Sequence, residues 1–135
     1  MTESVLSGKR SSKGTVLVVD DEPNMAKATM RLLKSMGFDV LVATAGRKAI
    51  EICCSPGNEI DFVLLDMVLP EMTSRETLLQ IRSLRPEIKV ILMSGHSEQE
   101  SIDSFEDMQL NGFLSKPFGS AELENAIQAA LGSVD

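Results

Sequence analysis

Five side chains stand out because each closes an apolar run. Asp20 and Asp21 follow "VLVV", Asp66 closes "DFVLLD", Ser94 closes "VILMS" and Lys116 closes "GFLSK". Three clustered carboxylates cannot all stay ionised without a counter-charge. A hard divalent cation with oxygen ligands supplies one, and Mg²⁺ typically takes one or two carboxylates, waters and phosphate oxygens. Mn²⁺ is the natural substitute, since it favours the same oxygen donors. Lys116 is a compact point charge suited to a phosphate oxygen, and Ser94 can donate a hydrogen bond to another. That leaves Asp66 as a nucleophile. Phosphoryl transfer asks mainly for positioning and charge neutralisation, which this set supplies. No glycine-rich GxxxxGK loop is present in the sequence, so nucleotide binding has no support.

These residues can act together only if the chain brings them to one place. Five strand-like runs recur: 15–19 "TVLVV", 39–43 "DVLVA", 61–65 "DFVLL", 88–92 "IKVIL" and 111–114 "NGFL". Amphipathic segments separate them. Met25, Ala28, Thr29, Leu32, Leu33 and Met36 recur at helical spacing, with Pro23 in the first turn and Gly37 as a stop. A second helix is expected over 45–54, ended by "SPGN". A third is expected over 72–84 with Leu78, Ile81 and Leu84 inward. The acidic segment 97–109 has Ile102 and Phe105 as its anchors. A last helix starts near Ser120 and buries Leu123, Ile127, Ala130 and Leu131. Strands with near-continuous aliphatic runs belong in a parallel sheet covered on both faces. Right-handed crossovers then give a five-stranded, doubly wound α/β sandwich. Its ligand site lies at the carboxyl ends of the strands, where the winding direction switches.

The chain has 135 residues, one ordinary domain. Residues 1–14 are small, polar and Gly/Ser-rich and read as a flexible tail or linker. Residues 15–132 form the folded unit and 133–135 a short tail. With 13 Lys and Arg against 20 Asp and Glu, the net charge is −7. That argues against nucleic-acid binding by this segment, which needs a basic face. No apolar run is long enough to span a membrane or to serve as a signal-peptide core. Cys53 and Cys54 are adjacent, fall in a helical stretch, and read as reduced thiols at the edge of a core in a cytoplasmic protein.

The motifs "VVDDEP", "LLDMVLPEM", "MSGH" and "GFLSKPF", in this order, resemble the receiver domain of two-component response regulators, of the chemotaxis-regulator type. The resemblance covers residues 15 to about 132. It implies a (βα)5 flavodoxin-like fold in which Asp66 accepts a phosphoryl group from a phosphohistidine of a histidine kinase or histidine phosphotransfer protein. It implies that Asp20, Asp21, Asp66 and the main-chain carbonyl of Val68 hold Mg²⁺. Ser94 and Lys116 would bind the phosphoryl oxygens. Phe113 would change rotamer as the Ser94 hydroxyl moves, and the Lys116–Pro117 bond would be cis. The output partner would dock on the face built from residues 97–131. Val68 and His96 occupy the two variable positions beside the phosphoryl group and would modulate its lifetime.

Three departures from the family pattern bear on the loop after Asp66. Leu69 stands where the family often carries Met, and Thr73 and Ser74 where it often carries Asp-Gly, so the backbone is less free at Ser74. The resemblance implies a receiver rather than a turnover enzyme, either standing alone, joined to a hybrid sensor kinase, or at the head of a transcription regulator. Two other classes compete. One is a Mg²⁺-dependent aspartyl-phosphate phosphatase or phosphotransferase of the haloacid-dehalogenase type. That class wants an acid two residues after the nucleophile, where this chain has Val68. The other is a degenerate receiver serving only as a binding module, against which the intact acids and lysine speak.

Overall fold

The computed structural model describes residues 13–95, 105 and 108–132. Strands β1 (Thr15–Val19), β2 (Asp39–Ala43), β3 (Phe62–Asp66), β4 (Lys89–Ser94) and β5 (Gly112–Ser115) alternate with helices α1 (Pro23–Ser35), α2 (Gly46–Cys54), α3 (Ser74–Leu84) and α4 (Ser120–Leu131). The five strands form one parallel sheet in the order β2-β1-β3-β4-β5. The winding direction switches between β1 and β3, so the ends of those two strands frame the crevice. The helix expected over 97–109 lies outside the described residues, except that its Phe105 and Met108 are buried.

Alternation along each strand separates the core into two layers. Leu17, Val19, Val63, Leu65, Val90 and Leu92 meet Ala49 and Cys53 of α2 and Leu78 and Ile81 of α3. Val16, Val18, Phe62, Leu64, Ile91 and Met93 meet Leu33 of α1 and Leu123, Ile127 and Ala130 of α4. Phe38 and Phe62 close the second layer edge to face, with ring centroids 5.5 Å apart. Both faces of the sheet are therefore dry, which is why Val16–Val19 of β1 and Phe62–Leu65 of β3 are all apolar and the first acid follows each run.

Several sequence expectations need correcting. In α1 the buried stripe runs through Ala26, Thr29 and Leu33, and Ala28 is exposed. In α3 the buried stripe is Ser74, Thr77, Leu78 and Ile81. Leu84, expected inward, is 44% exposed. With 3.6 residues per turn the stripe reaches position 85, not 84. Leu131 is half-buried at the end of α4. Helix α3 begins at Ser74 rather than Met72, because Thr73 caps it: Thr73 Oγ1 accepts from the Glu76 N–H at 3.0 Å, and Glu76 Oε1 accepts from the Thr73 N–H at 3.1 Å. "TSRE" is thus a capping box, which fixes where the loop after Asp66 ends. Helices α2 and α3 approach so closely that a Cβ at Gly46 would collide with Thr77 Oγ1. Cys53 is buried, Cys54 is exposed, and both are free thiols. Burial pushes the Cys53 thiol up, away from reactive thiolate.

Candidate functional site

Asp20 is the first residue beyond β1, and its main-chain N–H donates to the Ala43 carbonyl at 3.0 Å, extending the pairing with β2 by one residue. Its side chain is fully buried. Oδ1 accepts from the Glu22 N–H at 3.0 Å, and Oδ2 accepts from Lys116 Nζ at 3.0 Å. Glu22, not either aspartate, caps α1: its Oε1 accepts from the N–H groups of Asn24 and Met25 at 2.9 and 3.3 Å. The capping role is therefore filled by the third acid, and Asp20 and Asp21 are left to the crevice. Asp21 is exposed.

Asp66 is the last residue of β3 and is 7% exposed. Oδ1 accepts from the Val68 N–H at 3.2 Å and Oδ2 from Lys116 Nζ at 3.2 Å. Its main-chain carbonyl accepts from the hydroxyl of Ser74. Ser74 opens α3, and its hydroxyl ties that helix to the end of β3. The intervening loop turns sharply at Glu71, which has a left-handed φ of 64°. Val68 projects outward and is 62% exposed.

Lys116 follows β5, and its N–H donates to the Ser94 carbonyl at 2.8 Å, so the strand pairing itself aims the side chain at the crevice. The Lys116–Pro117 bond is cis, as the resemblance implied. One ammonium thus bridges two buried carboxylates, and Asp21 joins them: oxygens of Asp20, Asp21 and Asp66 lie within 4.8 Å of one another. Burial pushes the Asp66 carboxyl up, and Asp20 beside it adds to this. The Val68 N–H and Lys116 pull the other way without cancelling it. For Lys116, burial acts to lower the ammonium, but its hydrogen bond to Asp20 and the charge of Asp66 outweigh that and hold it above its ordinary value. The three acids carry more negative charge than one lysine balances. An all-oxygen donor set with excess negative charge fits a hard divalent cation.

Ser94 closes β4 and is buried, and its hydroxyl donates to Met67 Sδ at 3.3 Å. Phe113 is half-buried and packs on the layer formed with α2 and α3. His96 lies outside the described residues. The structure therefore gathers Asp20, Asp21, Asp66 and Lys116 directly and sets Ser94 beside the residue that follows Asp66. Sequence reasoning missed Met67 and Ser74 as partners of the site. For Ser74 the capping box was a usable signal; for Met67 there was none, since a methionine in such a loop reads as core.

The matches to known proteins agree with this geometry. Residues 16–128 match the family model of the response regulator receiver domain. The chain is 35% identical over 125 residues to the sensor kinase CckA of Brucella abortus, covering 93% of this chain and 13% of that protein's length. It superimposes on a response regulator receiver domain from Clostridium thermocellum with a TM-score of 0.79 and 28% identity, covering 87% of this chain and 94% of the other. It also shares its fold with the receiver domain of a sensor histidine kinase from Pseudomonas aeruginosa, whose structure has a magnesium ion coordinated in its active-site cleft. That match has a TM-score of 0.78 and 24% identity, and covers 89% of this chain and 98% of the other. No described helix is long and apolar enough to cross a membrane. The chain belongs to the response regulator receiver family.

Proposed function

We propose that this receiver accepts a phosphoryl group on Asp66 from the phosphohistidine of a histidine kinase or histidine phosphotransfer protein. The observation that carries the reading is the single ammonium of Lys116 shared by two buried carboxylates at the switch point of the sheet. A carboxylate oxygen of Asp66 attacks phosphorus, the phosphorus–nitrogen bond breaks, and the imidazole leaves. Lys116 is placed to neutralise charge on the transferred group, and the Val68 N–H holds the carboxylate in a fixed orientation. Asp20, Asp21, Asp66 and the Val68 carbonyl would hold Mg²⁺, or Mn²⁺ in its place. Bound there, the cation supplies charge neutralisation for phosphoryl oxygens. Ser94 would donate to a phosphoryl oxygen, and Phe113 would follow its movement. The added charge then shifts a pre-existing equilibrium read on the 97–131 face.

A turnover enzyme is the weaker reading, because Val68 offers an apolar side chain where an aspartyl phosphatase places its acid. The relation to a sensor kinase favours a receiver joined to a hybrid kinase and working in the cytoplasm. The test is incubation with Mg²⁺ and a small phosphodonor such as acetyl phosphate, followed by mass spectrometry. One base-labile phosphoryl adduct is expected, absent in Asp66→Asn and absent when the cation is chelated. An adduct retained in Asp66→Asn, or continuous donor turnover without an adduct, would overturn the reading.

A further inference from the structure

A groove of about 1020 Å³ lies at the amino edge of the sheet, between the end of α1 and the last turns of α4. Its apolar lining comes from Met36, Phe38, Ile127 and Leu131. Met36 and Leu131 are only half-buried, so they still offer apolar surface to an occupant. Asn125 and Gln128, about one turn apart on α4 and both exposed, add amide donors and acceptors. Lys13 also lines the groove, and its place is fixed. Its N–H donates to the Gly37 carbonyl at 2.9 Å. Its side-chain stem lies against Gly37, where an added Cβ would sit 3.4 Å from Lys13 Cγ. The chain that precedes Lys13 therefore starts at the rim of the groove.

We propose that the segment 1–12 docks in this groove through Val5 and Leu6, the two branched aliphatic residues of "MTESVLSGKRSS". Leu6 stands seven residues before Lys13, and seven extended residues reach about 24 Å. The stretch of α4 that lines the groove, from Glu124 to Gly132, is about 12 Å long. The aliphatic pair can therefore be set anywhere along it. Burial of the two side chains against Met36, Phe38 and Leu131 supplies the driving force. Lys9 and Arg10 bring positive charge to a wall that carries Glu124. Exposed pairs of this kind add little affinity, and here they favour one register. A short tether gives the segment an effective concentration in the millimolar range. A second copy of the chain at micromolar concentration competes poorly against that for the same groove. The alternative is the free tail that composition alone suggests.

The test is NMR on the isotope-labelled full chain. In the natural protein the methyl groups of Val5 and Leu6 should show nuclear Overhauser contacts to Met36, Ile127 or Leu131. The backbone order parameters of both residues should be about 0.8, the range of rigid backbone. In the double variant Val5→Ser, Leu6→Ser the contacts should disappear and the order parameters at both positions fall below about 0.6. Leu131→Ser, at the last residue of α4, removes one wall of the groove and should release Val5 and Leu6 in the same way. Order parameters below about 0.6 at Val5 and Leu6 in the natural protein would overturn the proposal. So would contacts from these residues to another surface, or a segment that stays ordered in Leu131→Ser. In an equal mixture of labelled and unlabelled chain, groove contacts that cross from one to the other would assign the occupant to a second copy, and would overturn it too.

Discussion

At the amino edge of the sheet, two guanidiniums, of Arg82 on α3 and of Arg85 just after it, are occupied mainly by main-chain carbonyls. At the carboxyl edge, one ammonium bridges two carboxylates of a cluster of three. Arg82 donates to the carbonyls of Ile88, Met108 and Gln109 and to Asn111 Oδ1, at 2.7–3.3 Å. Asn111 Oδ1 also accepts from the Val90 N–H, so this cluster joins α3 to the starts of β4 and β5. Arg85 donates to the carbonyls of Cys53, Ser55 and Asn58, fastening the loop between α2 and β3. Burial draws the Arg82 guanidinium below its ordinary value, but its donors are matched. Among the described residues at that edge, no carboxylate cluster stands without its cation. The carboxyl edge is the reverse: its carboxylates outnumber their cation. Buried charge that is matched holds the fold, and buried charge left over points to what the protein binds.

This contrast can be broken most visibly by removing the cation at each edge. Lys116→Ala leaves Asp20 and Asp66 buried without their ammonium and is expected to cost about 3 kcal/mol of stability in chelator. Part of that loss should return with Mg²⁺, which can take over the neutralising role. Arg82→Ala is expected to cost about 2 kcal/mol by stranding carbonyls, and Mg²⁺ should recover none of it. Denaturant unfolding of both variants with and without Mg²⁺ checks the pair. An equal response to Mg²⁺ would erase the distinction between the edges.

A smaller effect sharpens it. Asp66→Asn removes excess negative charge and is expected to stabilise the cation-free protein by about 1 kcal/mol near pH 7. The sign follows from the raised carboxyl. A group whose folded pKa lies above its unfolded value favours the fold at low pH, and that contribution is lost as pH rises through the folded pKa. The natural protein should therefore match Asp66→Asn below the ordinary carboxylate range and fall behind it as pH rises past the raised value. Unfolding midpoints measured in chelator from acid to neutral pH check this, and a gap that narrows with rising pH would contradict it.

How much of this was legible beforehand depends on what kind of signal each residue leaves. Asp20, Asp66, Ser94 and Lys116 were readable because a polar residue closing a dry strand has few other reasons to be there. That the sheet would be parallel and doubly wound followed from the same runs. The Arg82 and Arg85 clusters were not readable, since an arginine on a helix looks solvated until its carbonyl partners, distant in sequence, are known. Leu84 misled for a related reason: apolar spacing favoured it, but the buried stripe runs Ser74, Thr77, Leu78 and Ile81, and Leu84 falls to its exposed side. Thr29 remains unexplained: its buried hydroxyl oxygen has no hydrogen-bond partner among the described residues.

The smallest predicted effect concerns the lifetime of the phosphoryl group. Val68 is exposed beside Asp66 and cannot hydrogen-bond an attacking water. Val68→Asn can, and should speed loss of the group by about fivefold, the worth of one modest hydrogen bond. Decay of labelled phosphoprotein in the two proteins checks it, and equal rates would refute it.

The central claim is that the unbalanced acids at the carboxyl edge exist for a divalent cation. Thermal unfolding of the natural protein and of Asp20→Asn across a Mg²⁺ titration tests it most directly. The account predicts that the natural protein gains about 1.4 kcal/mol at a Mg²⁺ concentration ten times its Kd. Asp20→Asn should gain far less at the same concentration. Identical Mg²⁺ responses in the two proteins, or no response in the natural one, would contradict it.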